Sequence, residues 1–144
     1  AAGPFGWLLA KVGTIAAIEQ WLLSFTSSPF LFVLAVLLVI LAIGTFLDAP
    51  ANIVLFGPVL ISSSVAAGFS PVTAALAVVI GFLIGMVTPP VGSCWFLASR
   101  IADAPLEESA VQMLPYLAVE IVVLAALFVL PFLTLAIPGA LGLL

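Results

Sequence analysis

The sequence predicts an all-α integral membrane protein organised around one interrupted helix. Three observations predict it. Hydrophobic residues make up 66% of the 144 and charged residues 6%, which excludes an ordinary soluble domain. Long Leu/Ile/Val/Ala runs recur at spanning length, without the two-residue alternation of a membrane barrel. Inside one uncharged segment, from about Pro71 to Ala98, stands Gly85-Met86-Val87-Thr88-Pro89-Pro90-Val91-Gly92. The two prolines remove two backbone N–H donors and clash with the preceding turn. Thr88, ahead of them, is pushed out of helical geometry. A helix cannot run straight through. In a bilayer, broken backbone survives only where protein or a water-filled cavity satisfies the freed carbonyls. Such a break is a candidate binding place for a substrate or an ion.

Composition narrows the function further. The formal net charge of -4 rests on few side chains and argues against nucleic acid or anionic lipid as partners. A lone cysteine, Cys94, excludes an internal disulfide, and the absence of histidine leaves no His/Cys metal cluster. No nucleophile–base pair lies within the apolar runs, so an enzyme is not expected, nor an organic cofactor. The chain opens on Ala1-Ala2-Gly3-Pro4, without an initiator Met or a basic leader. It reads as a fragment of a larger membrane protein.

In chain order, residues 1–13 read as the end of a transmembrane helix. Trp7 suits an interface, and Lys11 with Gly13 supplies the end signal. Residues 14–28 contain a short two-faced helix, Thr14 to Phe25, with Ile15, Ile18, Leu22 and Phe25 on one side. It is too short to span and is expected to lie along the interface. Thr26-Ser27-Ser28-Pro29 is a start signal. Residues 29–69 then hold two apolar arms around Gly44-Thr45-Phe46-Leu47-Asp48-Ala49-Pro50-Ala51-Asn52. Two topologies fit. Either Phe30–Leu47 spans and Asp48 lies in a loop, or both arms enter and leave on one side with a buried tip. Residues 70–102 form the discontinuous helix, started by Ser70-Pro71 and leaving the membrane at Arg100. Residues 103–113 form a polar connector helix with acids in its first turn. Leu114-Pro115 opens the final helix of residues 114–144. Arg100 favours the cytoplasmic side for the connector.

At this point the residues resemble a known family. Gly81 to Ser99, centred on the Thr-Pro-Pro-Val-Gly element, is similar to the large membrane subunit of tripartite ATP-independent periplasmic (TRAP) transporters. So are Gly44-Thr45-Phe46-Leu47-Asp48 with Ile53 to Pro58, and Ile101 to Pro115 with Leu106-Glu107-Glu108. The resemblance covers essentially the whole chain, as the C-terminal part of that subunit. It departs at Gly57, at Ser93-Cys94-Trp95 and at Ala49-Pro50-Ala51-Asn52.

The resemblance implies sodium-coupled import of an organic acid, such as a dicarboxylate or sialic acid, across the bacterial inner membrane. It implies a periplasmic substrate-binding protein, a small membrane subunit and the remainder of the large subunit as partners. It also implies a multi-pass elevator built from inverted repeats. Pro29–Ala67 would be its re-entrant hairpin and Pro71–Arg100 the broken helix beside it. Another ion-coupled anion transporter of related fold, a channel or a structural subunit are the alternatives.

Sodium is a hard cation that takes oxygen ligands, and exposed carbonyls at helix breaks supply them. Gly44, Thr45, Asp48, Gly85, Thr88 and Pro89 are the candidate ion-binding residues, the Thr88 hydroxyl among them. Asp48 either caps the second arm or ligates the ion. Asn52, Pro90, Gly92 and Ser93 are the candidate substrate-binding residues. Asn52 contacts substrate or closes the tip. Helix N-termini near Ile53 and Val91 suit an anion. Glu120, about 8 Å along the helix from Pro115 at 1.5 Å per residue, is expected near the headgroups.

Overall fold

The computed structural model describes Lys11, residues 13–25 and residues 28–141. The helix end expected over 4–12, with Trp7, and the cap residues Thr26 and Ser27 fall outside them, Lys11 excepted. The described chain is all α: α1 (Thr14–Leu23), α2 (Pro29–Phe46), α3 (Ala49–Ala66), α4 (Pro71–Val87), α5 (Ser93–Ile101), α6 (Leu106–Val129) and α7 (Pro131–Ala140).

Proline sets several of the starts. Pro29, Pro71 and Pro131 each open their helix, where a missing N–H costs nothing and φ is already helical. Ser28 and Ser70 occupy the N-cap positions, but neither side chain makes a capping hydrogen bond. Gly13, ahead of α1, has a φ of 77°, a left-handed conformation that a side chain resists. In α1, Leu22 is fully buried and Ile18 packs against the core, as does Phe25 just beyond the helix. Trp21 lies edge-on to Phe25 at 5.0 Å and stays half exposed.

Helices α2 and α3 form a hairpin whose turn is only Leu47 and Asp48, both with extended backbone. The second arm is 18 residues long and begins directly after Asp48. Both arms and α6 are long and apolar enough to cross a membrane. The arms scarcely touch each other; each packs instead along α4. Phe32, Val36, Ile40, Ala77, Val78 and Phe82 fill that seam and are almost wholly buried. Pro58 lies inside α3 and leaves the Val54 carbonyl without its helical donor.

Helix α4 runs from the base of the hairpin to its tip, and α6 returns the other way. Phe69 at the base stacks on Phe32 at 5.8 Å and meets Phe128 edge-on at 5.1 Å. Further along, Leu124 closes over Gly81, where a Cβ would lie 2.5 Å from Ile40 Cγ2 and 3.3 Å from Leu124 Cδ2. Thr73 and Thr134 share a buried hydroxyl bond of 2.6 Å that ties α4 to α7.

One boundary differs from expectation. Leu114-Pro115 opens no helix, because α6 passes through Pro115 without a break. Only the Val111 carbonyl loses its donor there, and two full turns already precede the proline. The real interruption comes at Leu130, followed by α7.

The far end of the broken helix is tied to α6 by hydroxyls. Trp95 Nε1 donates to Ser109 Oγ at 3.1 Å, and Ser99 Oγ lies 2.9 Å from the same atom. Ser109 also donates to the Leu106 carbonyl at 3.0 Å. Ser109→Ala strands the indole N–H and leaves Ser99 without this partner. Thermal unfolding of the protein should show a loss of about 1–3 kcal/mol. A Ser109→Ala protein as stable as the parent would show the link to be slack.

Candidate functional site

Helices α2 and α4 stop close together. Each leaves its last carbonyls without an intrahelical donor. Two glycines make the approach possible. A Cβ built on Gly85 would lie 2.6 Å from Gly44 Cα, 2.6 Å from its carbonyl carbon and 3.0 Å from its oxygen. A Cβ on Gly44 would meet Gly85 Cα at 3.1 Å. Both residues are buried. Backbone therefore rests on backbone two residues before the last residue of each helix.

The hairpin tip is built by Asp48 and Asn52. Asp48 occupies the N-cap position of α3, yet its side chain makes no capping bond. The capping expectation is corrected by where the carboxylate goes: Oδ1 accepts from Ser93 Oγ at 3.1 Å. Pro50 offers no N–H in the first turn of α3, whereas α5 presents a hydroxyl at its first residue. Asn52 is fully buried. Its Nδ2 donates to the Leu47 carbonyl at 2.8 Å and lies 3.5 Å from the Ile43 carbonyl. The amide thus closes the open end of α2. Its Oδ1 is buried without a hydrogen-bond partner, as is Ser63 Oγ farther along α3.

The two threonines behave alike. Thr45 Oγ1 donates to the Leu41 carbonyl and Thr88 Oγ1 to the Ile84 carbonyl, each at 2.7 Å. Each hydroxyl spends its proton on its own helix and keeps its lone pairs for an acceptor role.

Between Val87 and Ser93 the chain folds back on itself. Thr88 N donates to the Gly85 carbonyl at 3.1 Å, and Gly92 N to the Thr88 carbonyl at 3.2 Å. The Pro89–Pro90 peptide is cis, and neither proline has a donor to give. Gly92 is buried, and a Cβ there would lie 2.7 Å from the Thr88 oxygen and 2.8 Å from the Met86 oxygen. Carbonyl oxygens therefore converge on this glycine. Pro89 is half-buried, while Pro90, Ser93 and Asp48 are exposed.

The structure brings together Gly44 with Gly85, and Asp48 with Ser93. It sets Thr45 and Asn52 into the tip, and Thr88, Pro89, Pro90 and Gly92 into the break. The donor set is one of oxygens: carbonyls, two hydroxyls, one buried amide oxygen and one carboxylate. That set fits a hard monovalent or divalent cation and offers nothing to a soft metal. Sequence reasoning missed the glycine contact and the Asp48–Ser93 bond. A small residue shortly before each helix end was the signal for the first; the second had none.

Comparison with known proteins gives a consistent picture. Residues 1–133 match the family described as "Tripartite ATP-independent periplasmic transporter, DctM component". The sialic acid TRAP transporter large permease protein SiaM of Vibrio cholerae is 31% identical over 93% of this chain and 31% of its own length. The C4-dicarboxylate TRAP transporter large permease protein DctM of Pseudomonas aeruginosa is 31% identical over 88% of this chain and 30% of its own. The isethionate TRAP transporter permease protein DctMQ of Oleidesulfovibrio alaskensis is 34% identical over 83% and 19% respectively. The chain thus spans about a third or less of the length of these relatives. No solved structure matches it.

Proposed function

Because the chain belongs to the DctM family of TRAP transporter permeases, we propose that it forms part of a sodium-coupled importer of an organic acid. The family is one of transporters, not enzymes. The relatives are named for sialic acid, C4-dicarboxylates and isethionate, all of them organic acids. In this proposal a periplasmic binding protein delivers the acid. A small membrane subunit and the remainder of the large subunit complete the machine in the bacterial inner membrane.

The observation that carries the reading is the backbone contact of Gly44 with Gly85. It sets two carbonyl-bearing helix ends side by side, next to hydroxyls whose lone pairs are free and to the unpartnered Asn52 Oδ1. Sodium, carried as a coupling ion, is held there by Gly44, Thr45, Gly85, Thr88 and Pro89, with Asp48 or Asn52 completing the shell. The acid binds at the mouth, near Asn52, Pro90, Gly92 and Ser93, where the first turn of α5 presents its unpaired N–H groups. The hairpin is re-entrant in this reading, and it moves with the broken helix as one elevator body.

Thr88→Ala tests the ion site in the complete transporter, reconstituted with its binding protein. The half-saturating sodium concentration for uptake should rise roughly tenfold, the equivalent of about 1.4 kcal/mol. Sodium activation identical to the parent's would remove the hydroxyl from the site.

A further inference from the structure

Glu120 is a carboxylate within a helix long and apolar enough to cross a membrane. Helix α6 has 24 residues. Every 18-residue stretch of it contains Glu120, and in the stretches free of Glu107 and Glu108 it is the only charge. Leu124 packs at Gly81 on the antiparallel α4. One turn nearer the break, Glu120 stands at about the height of Gly85. The helix starts at Leu106 and not at Pro115, so Glu120 lies about 21 Å along it and not about 8 Å.

Glu120 is exposed and makes no hydrogen bond or ion pair among the described residues. It flanks the buried seam of Leu117, Leu124 and Phe128, on one edge of α6 with Tyr116 and Val123, both exposed. An ionised carboxylate turned to lipid at that depth is expensive, and such groups face protein or water and pair with one another.

We propose that the Tyr116–Glu120–Val123 edge of α6 is an interface with another transmembrane helix of the large permease, one that carries a lysine or arginine at the depth of Glu120. Two observations select that occupant. This chain covers 31% of the length of SiaM and 30% of that of DctM, so most helices of a large permease lie outside it. The 144 residues hold only two cations, Lys11 and Arg100, against six acids, so the complementary charge has to come from elsewhere. A second copy of the chain would set carboxylate against carboxylate.

The test uses the full-length permease assembled with its small subunit, in a Cys94→Ala background. Val123→Cys and Tyr116→Cys should crosslink to another segment of the same large permease that bears a basic residue, identified by peptide mass spectrometry. Val122→Cys, exposed and turned about 100° or more around α6 from each of those residues, should not. Glu120→Leu should lower the melting temperature by about 5 °C and Glu120→Gln by less, whereas a lipid-facing acid replaced by leucine would raise it. The proposal is overturned by crosslinks to the small subunit or to a second copy, by none at either edge position, or by a Glu120→Leu transporter as stable as the parent or more so.

Discussion

Gly85→Ala should abolish transport. The added methyl would sit 2.6 Å from two backbone atoms of Gly44. Backbone cannot rotate out of the way as a side-chain tip can, so α2 and α4 must separate near their ends. Overpacking of this kind costs about 1–3 kcal/mol. At its upper end that corresponds to a loss of about 100-fold in any step needing the two ends together. The expected result is uptake near background, with a transporter that still inserts and assembles. Gly57→Ala is the matched control. The nearest atom to a Cβ there is Ile53 Cγ2 at 3.8 Å, an ordinary contact, and alanine is the better helix former. Uptake should persist in Gly57→Ala. Normal transport by Gly85→Ala would mean that the two ends work at a greater separation than the structure gives them.

Asn52→Leu should be the next most damaging change, for a different reason. Leucine approximates the volume but has no donor for the Leu47 carbonyl and no oxygen of its own. A buried acceptor left without its partner costs about 1–3 kcal/mol, and in lipid no water replaces it. Loss of uptake and a lower melting temperature are both expected. The discriminating readout is the stabilisation of the purified transporter by sodium. It should largely vanish in Asn52→Leu and survive in part in Asn52→Asp, which keeps an oxygen at the same place. Equal stabilisation of all three proteins by sodium would limit Asn52 to closing the tip.

Much of the fold was legible because proline and glycine act locally. Pro29 and Pro71 mark helix starts in any surroundings, and Pro89-Pro90 stops a helix whatever packs around it. The apolar runs between them gave the helices. Pro115 shows where this logic fails. A proline two turns into a helix removes one hydrogen bond, and the chain continues if the flanking turns are well formed, as Leu106 to Leu114 are. A boundary there also puts Glu120 less than two turns into its helix, whereas α6 runs about four turns before it. In the site, the residues were legible but their partners were not. Asp48 and Ser93 are 45 residues apart, and nothing local to either names the other. Gly44 and Gly85 were singled out for their carbonyls, although their missing side chains are what the packing uses. The splayed hairpin arms follow from α4 lying along both of them, which is a tertiary fact.

Nine residues join two of these contacts. Helix α5 begins at Ser93, on the hairpin tip, and by its middle it is fastened through Trp95 and Ser99 to Ser109 of α6. A helix about 13 Å long does not bend appreciably. Any displacement of the tip must therefore tilt this strut as one piece or break a hydroxyl bond at one of its attachments. Cys94 is the only thiol in the 144 residues and is exposed on that strut. A dye attached there would read the tilt directly, using the natural sequence.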